Sequence, residues 1–226
     1  SLVDLSKLNS PILLPGDEKT AFRDPAVLYH DGVFYVFTTY IRTEEADSVY
    51  LYTAVSTSPN LIHWSSPRIL TPKGQQLNYS SPGNVVRFCG EWLICLQSYP
   101  IPGLTREGPL RWANQDARIF IMRSRNLLDW SPPELLRVKG PHVPPQAMGR
   151  MIDPYLIEDK AEPGKWWCFF KQRGFSYSWS CDLKHWTYHG HAAGGENVCV
   201  LVEDNERRNW RKEQQPYRPS RSNQHQ

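Results

Sequence analysis

Residues 22–40 read FRDPAVLYHDGVFYVFTTY, and this stretch decides the fold. Two runs rich in Val, Tyr and Phe flank the dipeptide Asp31-Gly32, which is typical of a tight turn between antiparallel strands. An acidic residue, Asp24, stands directly before Pro25 where the first run begins. The stretch therefore predicts a β-hairpin whose first strand opens with an acid–proline pair.

The same plan recurs twice further along the chain. Residues 79–99 read YSSPGNVVRFCGEWLICLQSY, and residues 150–174 read RMIDPYLIEDKAEPGKWWCFFKQRG. Each copy has a polar residue before a proline, a short apolar strand, a turn and a second apolar strand. Because proline restricts the residue before it, we expect extended backbone at Asp24 and Asp153. Internal similarity of this kind is typical of repeat architectures.

Each unit closes with a matching tail of Ser, a short polar stretch, Leu and Trp. The tails end at Trp64, Trp130 and Trp186, and the intervals of 66 and 56 residues leave room for four strands each. Four-stranded units in tandem are typical of β-propeller blades. A β-sandwich would explain the strands but not the paired motifs at strand start and tail. We therefore predict an all-β propeller.

A fourth unit begins at residues 194–205, GGENVCVLVEDN, and no second apolar strand follows it. Residues 206–226 are polar and rich in arginine, which predicts a flexible tail. We therefore expect one propeller domain over residues 1–205, with three full blades and the start of a fourth. An unfinished ring leaves an open strand edge, so we expect self-association through that edge and weak or absent catalysis.

The composition limits the class of partner. The chain has 226 residues, a formal net charge of +3 and 40% hydrophobic residues. Such a charge does not favour nucleic acid, and no apolar run has the length of a membrane span. The five cysteines show no metal-ligand spacing, and four of them stand in or beside apolar stretches, which favours buried free thiols. The N-terminus does not read as a signal peptide, so a secreted or periplasmic location after signal removal and a cytoplasmic location all remain open.

Three carboxylates stand in register with the repeat. Asp24, Asp153 and Glu196 occupy equivalent places in the first, third and fourth units, and Ser81 takes that place in the second. The first strand of each propeller blade lines the central channel, so we expect the three side chains in one funnel. Glycoside cleavage needs one carboxyl group to protonate the leaving oxygen and another to activate water or attack the anomeric carbon. A third carboxylate nearby raises the pKa of the acid by like-charge repulsion.

These acidic motifs resemble the signatures of glycoside hydrolase family 43. The matching segments are 23–26 (RDPA), 152–154 (IDP) and 195–197 (GEN), and the blade tail at 180–186 is similar to tails of the same clan. Families 32, 62, 68 and 117 share the five-bladed fold of that clan. The resemblance covers roughly residues 20–205, and it implies a five-bladed β-propeller type of fold.

Carried over residue by residue, the resemblance implies Asp24 as general base, Glu196 as general acid, and Asp153 as the residue that orients the acid and adjusts its pKa. Family 43 inverts the anomeric configuration and acts mostly on glycans containing arabinose or xylose. In family 32 the first aspartate is instead a nucleophile, and the configuration is retained. Inversion predicts a separation of about 6.5–9.5 Å between the Asp24 and Glu196 carboxyl groups, and retention about 5–5.5 Å. No cofactor is implied. A structural calcium ion is possible in the clan, but no ligand for it is identifiable in the sequence.

Aromatic and basic residues near these motifs are candidates for holding the sugar. Aromatic faces suit the apolar side of a sugar ring, and two arginines flank the Asp–Pro pairs. The long loop over residues 100–116 could wall the pocket. The alternative is that these aromatics are core and the arginines solvated. The candidate substrate-binding residues are Phe22, Arg23, Ser81, Trp92, Trp112 and Arg150.

The sequence therefore predicts a hydrolase of oligo- or polysaccharides, with an arabinofuranoside or xyloside as substrate and inverting acid–base chemistry. One alternative is a carbohydrate-binding propeller without catalysis, and another is a truncated, inactive glycosidase. A glycoside phosphorylase on the same architecture would need a basic phosphate site beside Asp153. In the sequence, Arg150 is the one indication of such a site.

Overall fold

The computed structural model of the chain describes residues 4–8, 16–108, 114–195 and 199–200. The described residues form thirteen strands and three short 3-10 helices (Leu5–Lys7, Glu45–Asp47 and Pro145–Met148), which confirms the all-β class. Across these ranges no helix has the length and apolar character that crossing a membrane requires. The strands form three antiparallel sheets, and each sheet corresponds to one unit of the sequence repeat.

The first blade is a four-stranded sheet in which each strand pairs with its neighbour in the chain. Asp31 and Gly32 form the predicted tight turn, with φ values of 47° and 80° that such a turn requires. The strands are β1 (Thr20–His30), β2 (Val33–Thr43), β3 (Val49–Ser58) and β4 (Arg68–Ile69).

The second blade follows the same order, but its inner strand is in two pieces. Both pieces pair with β7, and residues 81–84 separate them. The strands are β5 (Asn78–Ser80), β6 (Val85–Phe88), β7 (Glu91–Tyr99), β8 (Arg118–Ser124) and β9 (Glu134–Leu135). The interruption falls at Ser81, which stands where the other two units have their acid.

The third blade completes the series that the structure describes. Its strands are β10 (Ile152–Glu158), β11 (Trp166–Lys171), β12 (Phe175–Ser180) and β13 (Thr187–Ala192), in that order across the sheet. Three consecutive four-stranded blades confirm the propeller prediction for this part of the chain. The start of the fourth unit at Glu196 and the tail over 206–226 lie outside the described residues.

Strand β7 contributes to two cores because its side chains alternate between the faces of the sheet. Ile94 is fully buried in a cluster with Phe37 of the first blade. Leu93 and Cys95 point the other way, into a cluster with Phe170 of the third blade. The second blade therefore joins its two neighbours through apolar contacts on both faces.

The three blade tails fold into the same turn. In each, a Ser hydroxyl oxygen accepts the N–H groups two and three residues on, and an Asn or Asp side chain caps the following two. The Leu of each tail has positive φ: 62° at Leu61, 66° at Leu127 and 56° at Leu183. Because Leu adopts this conformation rarely, its recurrence identifies the tails as one structural element.

The backbone at Asp24 and Asp153 corrects one sequence-based expectation. Both residues have φ of 53°, and Ser81 has φ of 47°, so the expected extended conformation is wrong. The pairing of β1 with β2 and of β10 with β11 changes register at the Asp–Pro pair, which is the pattern of a β-bulge. A bulged residue leaves the hydrogen-bond ladder, so the ladder no longer holds it extended.

The cysteines are all free, as expected from their spacing. Cys95 and Cys168 are buried in the core between the second and third blades. Cys89, Cys181 and Cys199 are exposed, so the expectation of four buried thiols is wrong for two of them. Cys89 occupies the turn between β6 and β7, and Cys181 follows β12 in a blade tail, so neither side chain lies on the packed face of a strand.

Candidate functional site

Asp24 and Asp153 border the same two cavities. One cavity has a volume of about 260 Å³, and the other has a volume of about 600 Å³. Ser81 also lines both. The inner strands of the three blades thus bring together the three residues that stand directly before proline in the repeat.

Two hydroxyl groups hold the Asp24 carboxylate through one of its oxygens. Thr39 Oγ1 donates to Asp24 Oδ2 at 2.8 Å, and Ser81 Oγ donates to the same oxygen at 3.1 Å. The other oxygen, Oδ1, lies 3.9 Å from Arg23 Nη2. The Asp24 side chain is 32% exposed, so the carboxylate is oriented and still open to solvent.

A chain of hydrogen bonds continues from Asp24 toward Asp153. The Ser81 N–H donates to Thr39 Oγ1 at 2.6 Å, and Gln97 Nε2 donates to Ser81 Oγ at 3.0 Å. Gln97 Oε1 in turn accepts the backbone N–H of Asp153 at 2.7 Å. Linked hydrogen bonds of this kind polarise one another where water is partly excluded. The chain therefore couples the two acid positions through side chains of β2 and β7.

Thr39 and Gln97 were not singled out from the sequence. Each pairs, in the strand register, with the residue directly before the repeated acid position of its blade, and Lys171 does so in the third blade. The available signal was a polar residue in the second half of each second strand. That signal becomes readable only once the register of the two strands is known.

Two arginines stand beside the aspartates. Arg23 and Arg150 both line the smaller cavity, together with Tyr99. Arg150 Nη2 donates to the Tyr99 hydroxyl oxygen at 3.4 Å, and Gln172 Nε2 donates to the Arg150 carbonyl oxygen at 2.9 Å. The structure thus places three of the candidate substrate-binding residues, Arg23, Ser81 and Arg150, next to the Asp pair.

The aromatic candidates lie elsewhere. Phe22 stacks on Tyr40, with ring centroids 4.8 Å apart, and does not line either cavity. Trp92 is 8% exposed in the core between the first and second blades, so of the two interpretations of this residue the core aromatic holds and the sugar platform does not. Strand β7 turns it toward the neighbouring blade, away from the cavities. Trp112 and Glu196 lie outside the described residues.

Gly83 and Asn84 fix the interrupted inner strand of the second blade against the third. A Cβ at Gly83 would lie 1.7 Å from the Pro154 carbonyl oxygen, so only glycine allows this approach. The Asn84 side chain accepts the Leu156 N–H at 2.8 Å and donates to the Leu156 carbonyl oxygen at 2.6 Å. The Ser-Pro-Gly sequence at 81–83 therefore has a structural reason.

The described site offers carboxylates, hydroxyls, an amide and guanidinium groups around one opening. Such groups suit a polyhydroxylated ligand and proton transfer to or from it. Within the ranges given above, no three His, Cys, Asp or Glu side chains are grouped as metal ligands.

Several solved structures are similar to this chain. A family 117 glycoside hydrolase from Zobellia galactanivorans superposes with a TM-score of 0.55 at 15% identity, over 77% of this chain and 57% of its own. A glycosyl hydrolase from Bacteroides ovatus gives 0.57 at 15% identity, over 84% and 58%. A fructofuranosidase from Schwanniomyces occidentalis gives 0.58 at 18% identity, over 86% and 38%.

No protein-family model and no curated protein sequence matches the chain. The acidic motifs resemble family 43, but none of these three proteins is described as a member of that family. The chain spans about 38–58% of the length of these three proteins. At identities of 15–18%, the likeness establishes the fold, which is that of the β-propeller glycoside hydrolases.

Proposed function

We propose that the chain is a glycoside hydrolase of oligo- or polysaccharides that uses Asp24, Asp153 and Glu196. The observation that carries the proposal is the placement of Asp24 and Asp153. Two repeat-related aspartates on bulged inner strands border the same cavities, and a chain of hydrogen bonds joins their positions. Carboxylates that serve one reaction must border one cavity, and these two do.

In the proposed reaction, Asp24 takes a proton from water while the water oxygen attacks the anomeric carbon. Glu196 gives its proton to the departing glycosidic oxygen, and Asp153 orients the acid and the sugar. The outcome is inversion at the anomeric carbon. The hydroxyls of Thr39 and Ser81 hold Asp24 Oδ2, which directs Oδ1 toward the water.

Support for the substrate class comes from two directions. The acidic motifs resemble family 43, which favours an arabinofuranoside or a xyloside. The names of the similar structures include a family 117 glycoside hydrolase and a fructofuranosidase, which also favours sugar hydrolysis. A furanoside or xyloside with a small leaving group is therefore the first substrate to test.

The test is a screen with nitrophenyl arabinofuranoside, xyloside and fructoside on wild type and on Asp24→Asn. We expect Asp24→Asn to lose a factor of about 10²–10⁴ in rate. Asp31→Asn is the matched control, because Asp31 is 87% exposed in a turn far from the repeat's acid position. Equal turnover in wild type and Asp24→Asn would refute the assignment. Sugar binding without turnover in wild type would instead favour a carbohydrate-binding propeller.

A further inference from the structure

A third cavity, of about 630 Å³, lies between the second and third blades and is lined by cations. Lys139, Lys171, Arg173 and Arg150 border it, and none of its described lining side chains is acidic. Arg173 repels the charge of Lys139 across this cavity, and an anion bound between the two side chains would relieve that repulsion. The charge pattern therefore points to a negatively charged ligand.

Lys139 is the most constrained of these cations. Its Nζ lies 3.5 Å from the centroid of the Tyr188 ring and 5.4 Å from that of Phe170. Burial lowers the pKa of Lys139, Arg173 lowers it further by repulsion, and Tyr188 opposes both. An anion between Lys139 and Arg173 would stabilise both charges.

The cavity walls are held in place by hydrogen bonds to backbone. Ser178 Oγ donates to the Val138 carbonyl oxygen at 2.7 Å, which anchors the turn that carries Lys139. Gln172 Nε2 donates to the Met148 and Arg150 carbonyl oxygens at 3.0 and 2.9 Å. The cations therefore stand on fixed backbone, which lowers the cost of ordering them around a ligand.

We infer that this cavity binds an oxyanion, either the carboxylate or sulfate group of an acidic glycan or a free inorganic phosphate. Arg150 lines both this cavity and the smaller cavity at Asp24 and Asp153, so an acidic sugar could extend from one to the other. That link to a glycan rests on the proposed function. The binding of the oxyanion itself does not.

Binding is tested by titrating phosphate and sulfate at constant ionic strength, with chloride as reference, and by following heat and thermal stability. We expect Lys139→Met and Arg173→Gln each to weaken binding by about tenfold, since charge-assisted hydrogen bonds are lost. Lys184→Met, an exposed lysine away from the cavity, should bind like wild type. Arg173 is exposed, so we expect Arg173→Gln to fold. This variant therefore still tests the inference if Lys139→Met does not fold.

A second arm separates the sources of the oxyanion. If a uronic-acid trisaccharide displaces phosphate and its neutral counterpart does not, the ligand is the acidic group of a glycan. If phosphate binds and the trisaccharide does not displace it, the ligand is the free ion. Asp24→Asn should bind phosphate like wild type, so loss of the proposed hydrolase activity leaves this result independent. Equal binding by wild type, Lys139→Met and Arg173→Gln would overturn the inference, as would phosphate acting no differently from chloride.

Discussion

Asp24 receives both of its short hydrogen bonds on one oxygen, from Thr39 and Ser81. In the proposed reaction, an orientation set through Oδ2 leaves Oδ1 to accept the proton of the attacking water. Thr39 Oγ1 also accepts a hydrogen bond from the Ser81 N–H. One hydroxyl group therefore holds both the Asp24 side chain and the Ser81 backbone. In the proposed hydrolase, Thr39 is therefore a positioning residue for Asp24.

We expect Thr39→Val to lower kcat by about tenfold or more and to leave KM nearly unchanged, because Asp24 loses orientation while the sugar contacts remain. Thr39→Ser keeps the hydroxyl and should restore the rate. Steady-state kinetics of both variants measure this. A fall in stability with no kcat change in Thr39→Val would show that Thr39 is structural only.

The residues of the site were predictable from sequence to different degrees. Asp24 and Asp153 could be found because proline marks each of them in a repeat. Their backbone conformation could not, since a bulge depends on pairing with the neighbouring strand. Thr39 and Gln97 were missed for the same reason, because their role comes from register across the sheet rather than from a local motif.

Among the elements, the inner strand of the second blade depends most on a single residue. A Cβ at Gly83 would meet the Pro154 carbonyl oxygen at 1.7 Å. We expect Gly83→Ala to destabilise the protein by about 1–3 kcal/mol, as overpacking does, and to reduce any activity because Pro154 follows Asp153. Urea unfolding measures the loss. Gly74→Ala is the control, since nothing lies within 4 Å of a Cβ there; equal stabilities of the two variants would contradict the argument.

The loop between β2 and β3 contributes a pH-dependent interaction. Lys73 Nζ lies 2.5 Å from Glu44 Oε2, and Tyr52 donates to Glu44 Oε1 at 2.9 Å. The bond from Lys73 lowers the pKa of Glu44 below its ordinary value of 4.5, against the opposing effect of burial. The stabilisation is therefore complete above about pH 4.5 and is lost as the pH falls through the lower folded pKa.

We expect Glu44→Gln to cost up to about 1 kcal/mol at pH 7 and less at pH 3. Urea unfolding of both proteins at the two pH values gives the comparison. A difference between wild type and Glu44→Gln that stays constant with pH would exclude the carboxylate as the cause.

At the element scale the sequence predicted most of what the structure has. The hairpin at Asp31-Gly32 and the blade tails followed from local turn chemistry. The break in the second blade's inner strand at 81–84 did not, because Val85 to Phe88 reads as the continuation of one strand. Only contact with the third blade explains why the chain leaves the ladder there.

At the scale of the whole molecule, we expect the second blade to determine how the protein unfolds, because it packs against both neighbouring blades. Leu93 packs toward the third blade and Ile94 toward the first. We expect Leu93→Ala and Ile94→Ala each to cost about 2–5 kcal/mol. Both should keep a single unfolding transition, because one strand supports both cores. Tryptophan fluorescence and circular dichroism during urea unfolding would disagree if the blades unfolded separately.

The two buried thiols give the core between the second and third blades a chemical reporter. Burial raises the pKa of both Cys95 and Cys168 well above that of an ordinary thiol, and the thiolate is the form that reacts. A maleimide should therefore modify Cys89, Cys181 and Cys199 in a fast phase and leave the buried pair for a slow one. The rate of the slow phase measures how often these two blades separate in the native protein, without any denaturant.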